Sequence, residues 1–253
     1  NHLHPIKIFA AVLLMVLCGH SAYAQHPYFY TLHDDNGLPS NEVYQLQQDG
    51  FGYMWIGCNA GLYRYDGYKF QGYNNTKQNS IAISGLKVSP TQQMYCQNFG
   101  GQIFYIKNDS LLLFMDLKER TRAHPPYTID KQGNIWIGLP EGILKRDING
   151  KEELLFKGQL YINDIKPYDD GSIYVSDIAK GLVHIYKDNS GTYQCKKIAG
   201  VPEAFTNSRT TIETKGDHIY ALSTTNAERN YFVTSIQRDT ARLIKYMPKN
   251  SIA

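Results

Sequence analysis

Seven polar side chains recur at two kinds of position in this chain. Asn41, Asn163 and Arg209 stand at the entries of expected strands; Asn59, Asn98, Glu141 and Asp177 follow short apolar runs. Amides, carboxylates and a guanidinium supply the hydrogen bonds that a neutral or acidic sugar requires, so the chemistry on offer is binding of a small molecule or oligosaccharide. Bond-breaking chemistry has less support. No Gly-x-Ser-x-Gly, His-Glu-x-x-His or Ser/His/Asp order occurs. Glu141, Glu152 and Glu153 are carboxylates that a fold could pair as in a glycosidase, but spacing selects no pair. His33-Asp34-Asp35 is the one histidine followed by acids, and it sits in a turn-rich stretch. No metal is expected, because no Cys/His pair has ligand spacing and no loop alternates Asp and Asn before a closing Glu. No cofactor is expected either. Asp49-Gly-Phe-Gly52 imitates a phosphate loop, yet it returns as Asp130–Gly133, which makes it a repeated turn.

The elements that would carry these residues are repeats. Asp49-Gly-Phe-Gly-Tyr-Met-Trp-Ile-Gly57 runs into Gly61-Leu-Tyr-Arg-Tyr-Asp-Gly67. The pattern recurs as Asp130–Gly138 with Gly142–Asp147, and as Asp170–Ser176 with Gly181–Tyr186. Looser copies lie at Gln93–Gln97 with Gly101–Tyr105, and at Lys215–Ala221. Trp55, Tyr95, Trp136, Tyr174 and Tyr220 hold the same place in each copy, at spacings of 40, 41, 38 and 46 residues. They read as blade-core positions, since an indole or phenol ring inside an aliphatic strand is a packing residue. Asp49, Asp66, Asp130, Asp147 and Asp170 read as Asx-turn residues. Each unit offers a turn, an aromatic-aliphatic strand, a hairpin glycine, a second strand and a closing apolar stretch. Four strands per repeat of roughly 40 residues specify a propeller blade.

The expected fold is therefore all-β: a β-propeller of four-stranded antiparallel blades, with blades near 41–75, 84–117, 126–158, 160–198 and 207–247. About five blades are counted, and the chain reads as part of a larger, seven-bladed ring. The segment Tyr28–Leu32 alternates as an extra strand would. Ligand contacts are expected where strand entries and hairpins converge on one face, which is the setting of the seven polar residues above.

Charge and the N-terminus bound the partners. The net charge is +3, and +2 once residues 1–24 are removed, which gives no reason to expect nucleic acid. Residues 1–24 read as a Sec signal peptide: a weakly basic start, an apolar run from Ile8 to Cys18, then Ala22-Tyr23-Ala24. Residues 25–253 are then an exported domain. Cys58, Cys96 and Cys195 remain, an odd number that builds no disulfide framework and reads as buried small hydrophobes.

At these residues the chain resembles the two-component regulator propeller family. Gly37-Leu-Pro-Ser-Asn41, Val43, Asp49, Trp55-Ile-Gly57, Gly61-Leu62 and Tyr65-Asp-Gly67 are similar to its first-blade motif, and Trp136-Ile-Gly138 with Gly142-Ile143 repeat it. The resemblance implies a periplasmic sensor region ahead of a membrane helix and a histidine kinase. That parent would be membrane-anchored, homodimerisation being one arrangement open to it, and some relatives sense oligosaccharides. The chain itself would not be an enzyme. The alternatives are an exported propeller enzyme, a lyase or glycoside hydrolase, and a secreted protein-binding scaffold. A cluster of His184, His218 and acids would favour the enzyme.

Overall fold

The computed structural model describes residues 30–121, 124–158, 160–201, 209–215, 218–224, 231–237 and 239–247. The signal-peptide reading of residues 1–24 lies outside them, as do Tyr28, Phe29 and Ser208. Tyr30–Leu32 carry no strand, so the extra strand expected at Tyr28–Leu32 is absent from its described part. His33-Asp34-Asp35, read as loop, leads into a 3-10 turn at Asp34–Asn36.

Among the described residues, twenty strands form five four-stranded antiparallel sheets, each in simple sequence order. Blade 1 is β1 (Val43–Gln48), β2 (Met54–Cys58), β3 (Gly61–Tyr65) and β4 (Phe70–Tyr73). Blade 2 is β5 (Ile83–Val88), β6 (Met94–Asn98), β7 (Gln102–Lys107) and β8 (Ser110–Asp116). Blade 3 is β9 (Tyr127–Ile129), β10 (Ile135–Leu139), β11 (Gly142–Arg146) and β12 (Glu152–Leu155). Blade 4 is β13 (Ile162–Pro167), β14 (Ile173–Asp177), β15 (Gly181–Lys187) and β16 (Tyr193–Lys197). Blade 5 is β17 (Arg209–Lys215), β18 (His218–Thr224), β19 (Tyr231–Gln237) and β20 (Thr240–Met247). The first strands β1, β5, β9, β13 and β17 neighbour one another in turn, which makes them the axial strands of a β-propeller.

Each feature of the repeated motif has a physical cause. Asp49 Oδ1 accepts the backbone N–H groups of Phe51 (2.9 Å) and Tyr53 (3.0 Å), closing the β1–β2 turn, while its Oδ2 accepts the indole N–H of Trp55 at 2.8 Å. Asp130 repeats this with Gln132, Asn134 and Trp136, the indole again at 2.8 Å. One carboxylate thus shapes the turn and satisfies the buried indole. The glycine of Trp-Ile-Gly answers a different need. A Cβ on Gly57 would stand 2.7 Å from the Ile83 carbonyl oxygen, and one on Gly138 would stand 2.8 Å from Ile162 Cγ2. Both contacts belong to the next blade's axial strand, which approaches that closely only over a bare backbone. The hairpin glycines Gly61, Gly101, Gly142 and Gly181 all take positive φ. Asp66, Asp147 and Asp170 bond backbone N–H groups two to four residues on, as Asx-turns do.

The apolar cores lie between blades. Trp55, Leu62 and Tyr73 of blade 1 pack with Ile83, Leu86, Met94 and Phe104 of blade 2. Trp136 and Ile143 of blade 3 pack with Ile165, Ile173 and Val183 of blade 4, and Tyr174 of blade 4 packs with Ile212, Ile219 and Ile236 of blade 5. Tyr95, partly buried, packs against the core shared by blades 2 and 3. Of the repeat aromatics, Trp55, Trp136 and Tyr174 are buried in these cores, and Tyr95 packs against one from a partly buried position. Tyr220, the fifth, is partly buried beside an open hollow of about 990 Å3 that it shares with His218, Ser235 and Arg242. Cys58 and Cys96 are buried as expected, but Cys195 is exposed, because β16 is an outermost strand. Among the described residues, no helix is long and apolar enough to cross a membrane.

Candidate functional site

The seven polar residues share the end of the axis at which β1 enters and the β2–β3 type hairpins turn. The Asn59 N–H donates to the Glu42 carbonyl at 3.0 Å, tying hairpin to entry in blade 1. The residues divide by how their polar groups are used. Asn98 is buried, donating to Asn79, Ser80 and Gln102 and accepting the Gly100 and Gln102 N–H groups. Asp177 is buried too, holding its hairpin through the Ala179 and Lys180 N–H groups and the strand entry through Tyr161 N–H. Asn163 donates to the Thr210 carbonyl of the next blade at 2.7 Å. These three have structural work. Asn41, Asn59 and Arg209 are exposed, with Asn41 Oδ1 accepting the Asp34 N–H at 3.2 Å. Glu141 is half-buried and pairs with Arg120 at 2.9 Å.

The polar residues alone do not reveal an aromatic row on the same end. Tyr44 and Phe99 meet edge to face at 5.1 Å between centroids, and Phe99 stacks on His124 at 4.8 Å. Three blades contribute: Tyr44 from β1, Phe99 from the β6–β7 hairpin and His124 from the approach to β9. Tyr44 and Phe99 are 45% and 39% exposed, large aromatic area left in water without a packing reason. Desolvation, then the nearby Glu42 carboxylate, raise the Tyr44 phenol above its ordinary range. Desolvation lowers the His124 imidazole, favouring its neutral form. The row offers ring faces and edges beside Asn41, Glu42 and Asn59, a combination suited to a ligand with both C–H and O–H surface.

His184 does meet an acid, and the setting explains why. The residue cross-strand from the repeat aromatic is Arg64 opposite Trp55, Lys145 opposite Trp136 and His184 opposite Tyr174. Each reaches into the next blade. Arg64 pairs with Asp109 at 3.2 Å, Lys145 donates to the Tyr193 hydroxyl at 2.8 Å, and His184 Nδ1 meets Asp239 at 2.7 Å. Asp239 is also paired with Lys196 at 2.8 Å. Lys196 first and His184 after it hold the Asp239 carboxyl below its usual range. The Tyr73 hydroxyl, followed by Gln71 and Arg64, does the same for Asp109. These contacts are clasps between neighbouring blades. His184 lies flat on Tyr174, 4.4 Å between centroids at 4°, while His218 is exposed beside Tyr220.

Comparison with known proteins gives four matches. Residues 37–60 match the family model described as two component regulator propeller. A stretch of 49 residues is 37% identical to histidine kinase P4 of Formosa agariphila, covering 19% of this chain and 4% of that protein. Among solved structures, the extracellular domain of the hybrid two component system BT4673 from B. thetaiotaomicron matches with a TM-score of 0.57 and 18% identity, over 83% of this chain and 28% of that one. Virginiamycin B lyase from Staphylococcus aureus matches with a TM-score of 0.60 and 15% identity, over 83% of this chain and 71% of that one. At such identities the two structures share a fold with this chain, and a fold hosts many functions. The chain spans just over a quarter of the first solved relative and a small fraction of the curated one.

Proposed function

We propose, for a chain whose first blade carries the two component regulator propeller repeat, that it is a ligand-binding sensor region of a transmembrane two-component histidine kinase. It works on the periplasmic side of the membrane, and its ligand is an oligosaccharide held on the loop face. The reading is carried by the exposed Tyr44–Phe99–His124 row, flanked by Asn41, Glu42 and Asn59. A propeller stabilised between its blades gains nothing from leaving two rings in water at its axis, whereas a sugar ring can cover them. Binding there would bridge blades 1, 2 and 3 and so report occupancy as a change in their relative order. The kinase itself lies in the parent protein. No chemical step is assigned to this chain, because His184 is committed to an inter-blade clasp and Asn98 and Asp177 to turns.

The test is an oligosaccharide array followed by calorimetry on hits, with Tyr44→Ala and Phe99→Ala beside the parent. Both variants are expected to lose about tenfold or more in affinity, the scale of one central aromatic anchor, with unfolding midpoints close to the parent. A saccharide that binds both variants as tightly as the parent would remove the loop face from consideration.

A further inference from the structure

The opposite end of the axis carries a second feature, independent of the loop face. A cavity of about 620 Å3 opens there among the β1–β2 type turns, and all five blades line it, from Gln48 and Asp49 through Ser89, Asp130 and Tyr168 to Thr214. Next along the axial strands stand Lys87 of β5, Lys166 of β13 and Glu213 of β17, with Asp164 of β13 further in, and all three of the others act on the Lys87 charge. Each of Val88, Pro167 and Thr214, which line the cavity, follows one of these charged residues in sequence. Blades 2, 4 and 5 thus present charge to one another across the axis.

The partners are unevenly shared. Lys166 is paired with Glu213 at 3.1 Å. Asp164 accepts the N–H groups of Ile165 at 2.9 Å and Ile212 at 2.8 Å, the second from the neighbouring blade. Gln45 of β1 makes two bonds with the Leu86 backbone of β5, at 3.0 and 2.8 Å. The Lys87 ammonium alone of these charged groups has neither a hydrogen bond nor an ion pair among the described residues, although the residue is only partly exposed. Desolvation and the Lys166 charge both disfavour its ammonium form, and Asp164 and Glu213, acting from across the axis, offset this only in part. A cation withdrawn from water without an acceptor is an unfavourable arrangement that a bound anion would relieve.

We propose that the axial channel is a second binding site, in which the Lys87 ammonium receives the carboxylate of a small ligand entering from the turn side. Lys166 adds positive potential, and Ser89, Gln48 and Thr214 line the path in.

The test uses acetate as the probe, titrated into the full chain at constant ionic strength with chloride as the control. Acetate is expected to bind the parent and Lys87→Arg, and to bind Lys87→Met at least tenfold more weakly. Tyr44→Ala should leave acetate binding unchanged, so this site and the loop face can fail separately. As a readout that needs no substitution, the 13C resonance of the Lys87 ε-methylene should shift with acetate and not with chloride. Acetate binding no stronger than chloride binding, equal binding by Lys87→Met, or a silent Lys87 resonance would overturn the assignment.

Discussion

Replacing Trp136 with Phe isolates the bond that ties turn to core. The indole N–H donates to Asp130 Oδ2 at 2.8 Å, and both residues are almost fully buried, at 1% and 2% exposure. A hydrogen bond to a charged group contributes about 1.5–3 kcal/mol. Asn134 Nδ2 also donates to Oδ2 at 2.8 Å, so that oxygen keeps one donor when the indole is removed, and the loss should fall near 2 kcal/mol, in the lower part of that range. Trp136→Ala empties the site between blades 3 and 4 and should cost about 3–5 kcal/mol. Asp130→Ala strands the indole and frees the Gln132 and Asn134 N–H groups, which water at the turn can partly satisfy, for about 3 kcal/mol. The assay is urea unfolding of the parent, Trp136→Phe, Asp130→Ala and the double variant. The expected coupling is about 1.5–2 kcal/mol, since neighbours sharing one bond are not additive. Coupling near zero would refute the account of why Asp and Trp recur six residues apart. A Trp136 variant that unfolds like the parent yet loses ligand would refute the core assignment itself.

Other consequences follow from the same geometry. Gly57→Ala should destabilise more than Gly138→Ala, within the range of about 1–3 kcal/mol for overpacking, because the added methyl meets the fixed Ile83 carbonyl in the first case and the movable Ile162 side chain in the second; equal unfolding midpoints would contradict this. The clasp carboxylates Asp109 and Asp239 have folded pKa values below the unfolded 3.8. Their contribution is fully present above that value and is lost as pH falls through the folded values. Denaturant midpoints measured from pH 5 down to pH 2 should therefore drop, and drop less in Asp109→Asn and Asp239→Asn.

How far the sequence could be read follows from what repeats. The blades were legible because each must solve the same problems: a tight turn, a buried ring and a bare backbone against its neighbour. The solutions Asp, Trp and Gly therefore recur at fixed spacing. Where the solution changes, the pattern fades without the fold changing. Ser89 stands six residues before Tyr95, and Tyr168 six before Tyr174, yet both open the same turn, with their N–H groups bonded to the carbonyls of Gln93 and Ser172. The site was less legible because polarity in a loop does not say what the polarity is spent on. Asn98 and Asp177 look like ligand residues in sequence and are consumed by their own hairpins. Tyr44 and Phe99 look like strand residues in a Tyr-rich chain, and only their exposure and their contact across blades distinguish them. The inter-blade clasps escape notice for a further reason. Arg64, Lys145 and His184 share a position but not a chemical type, and their partners arrive from another blade, so no local pattern records them. In a ring of repeats, then, recurrence marks the residues that build each blade, while the residues that act between blades are marked by departures from it. Those departures are where variants separating stability from binding should be sought.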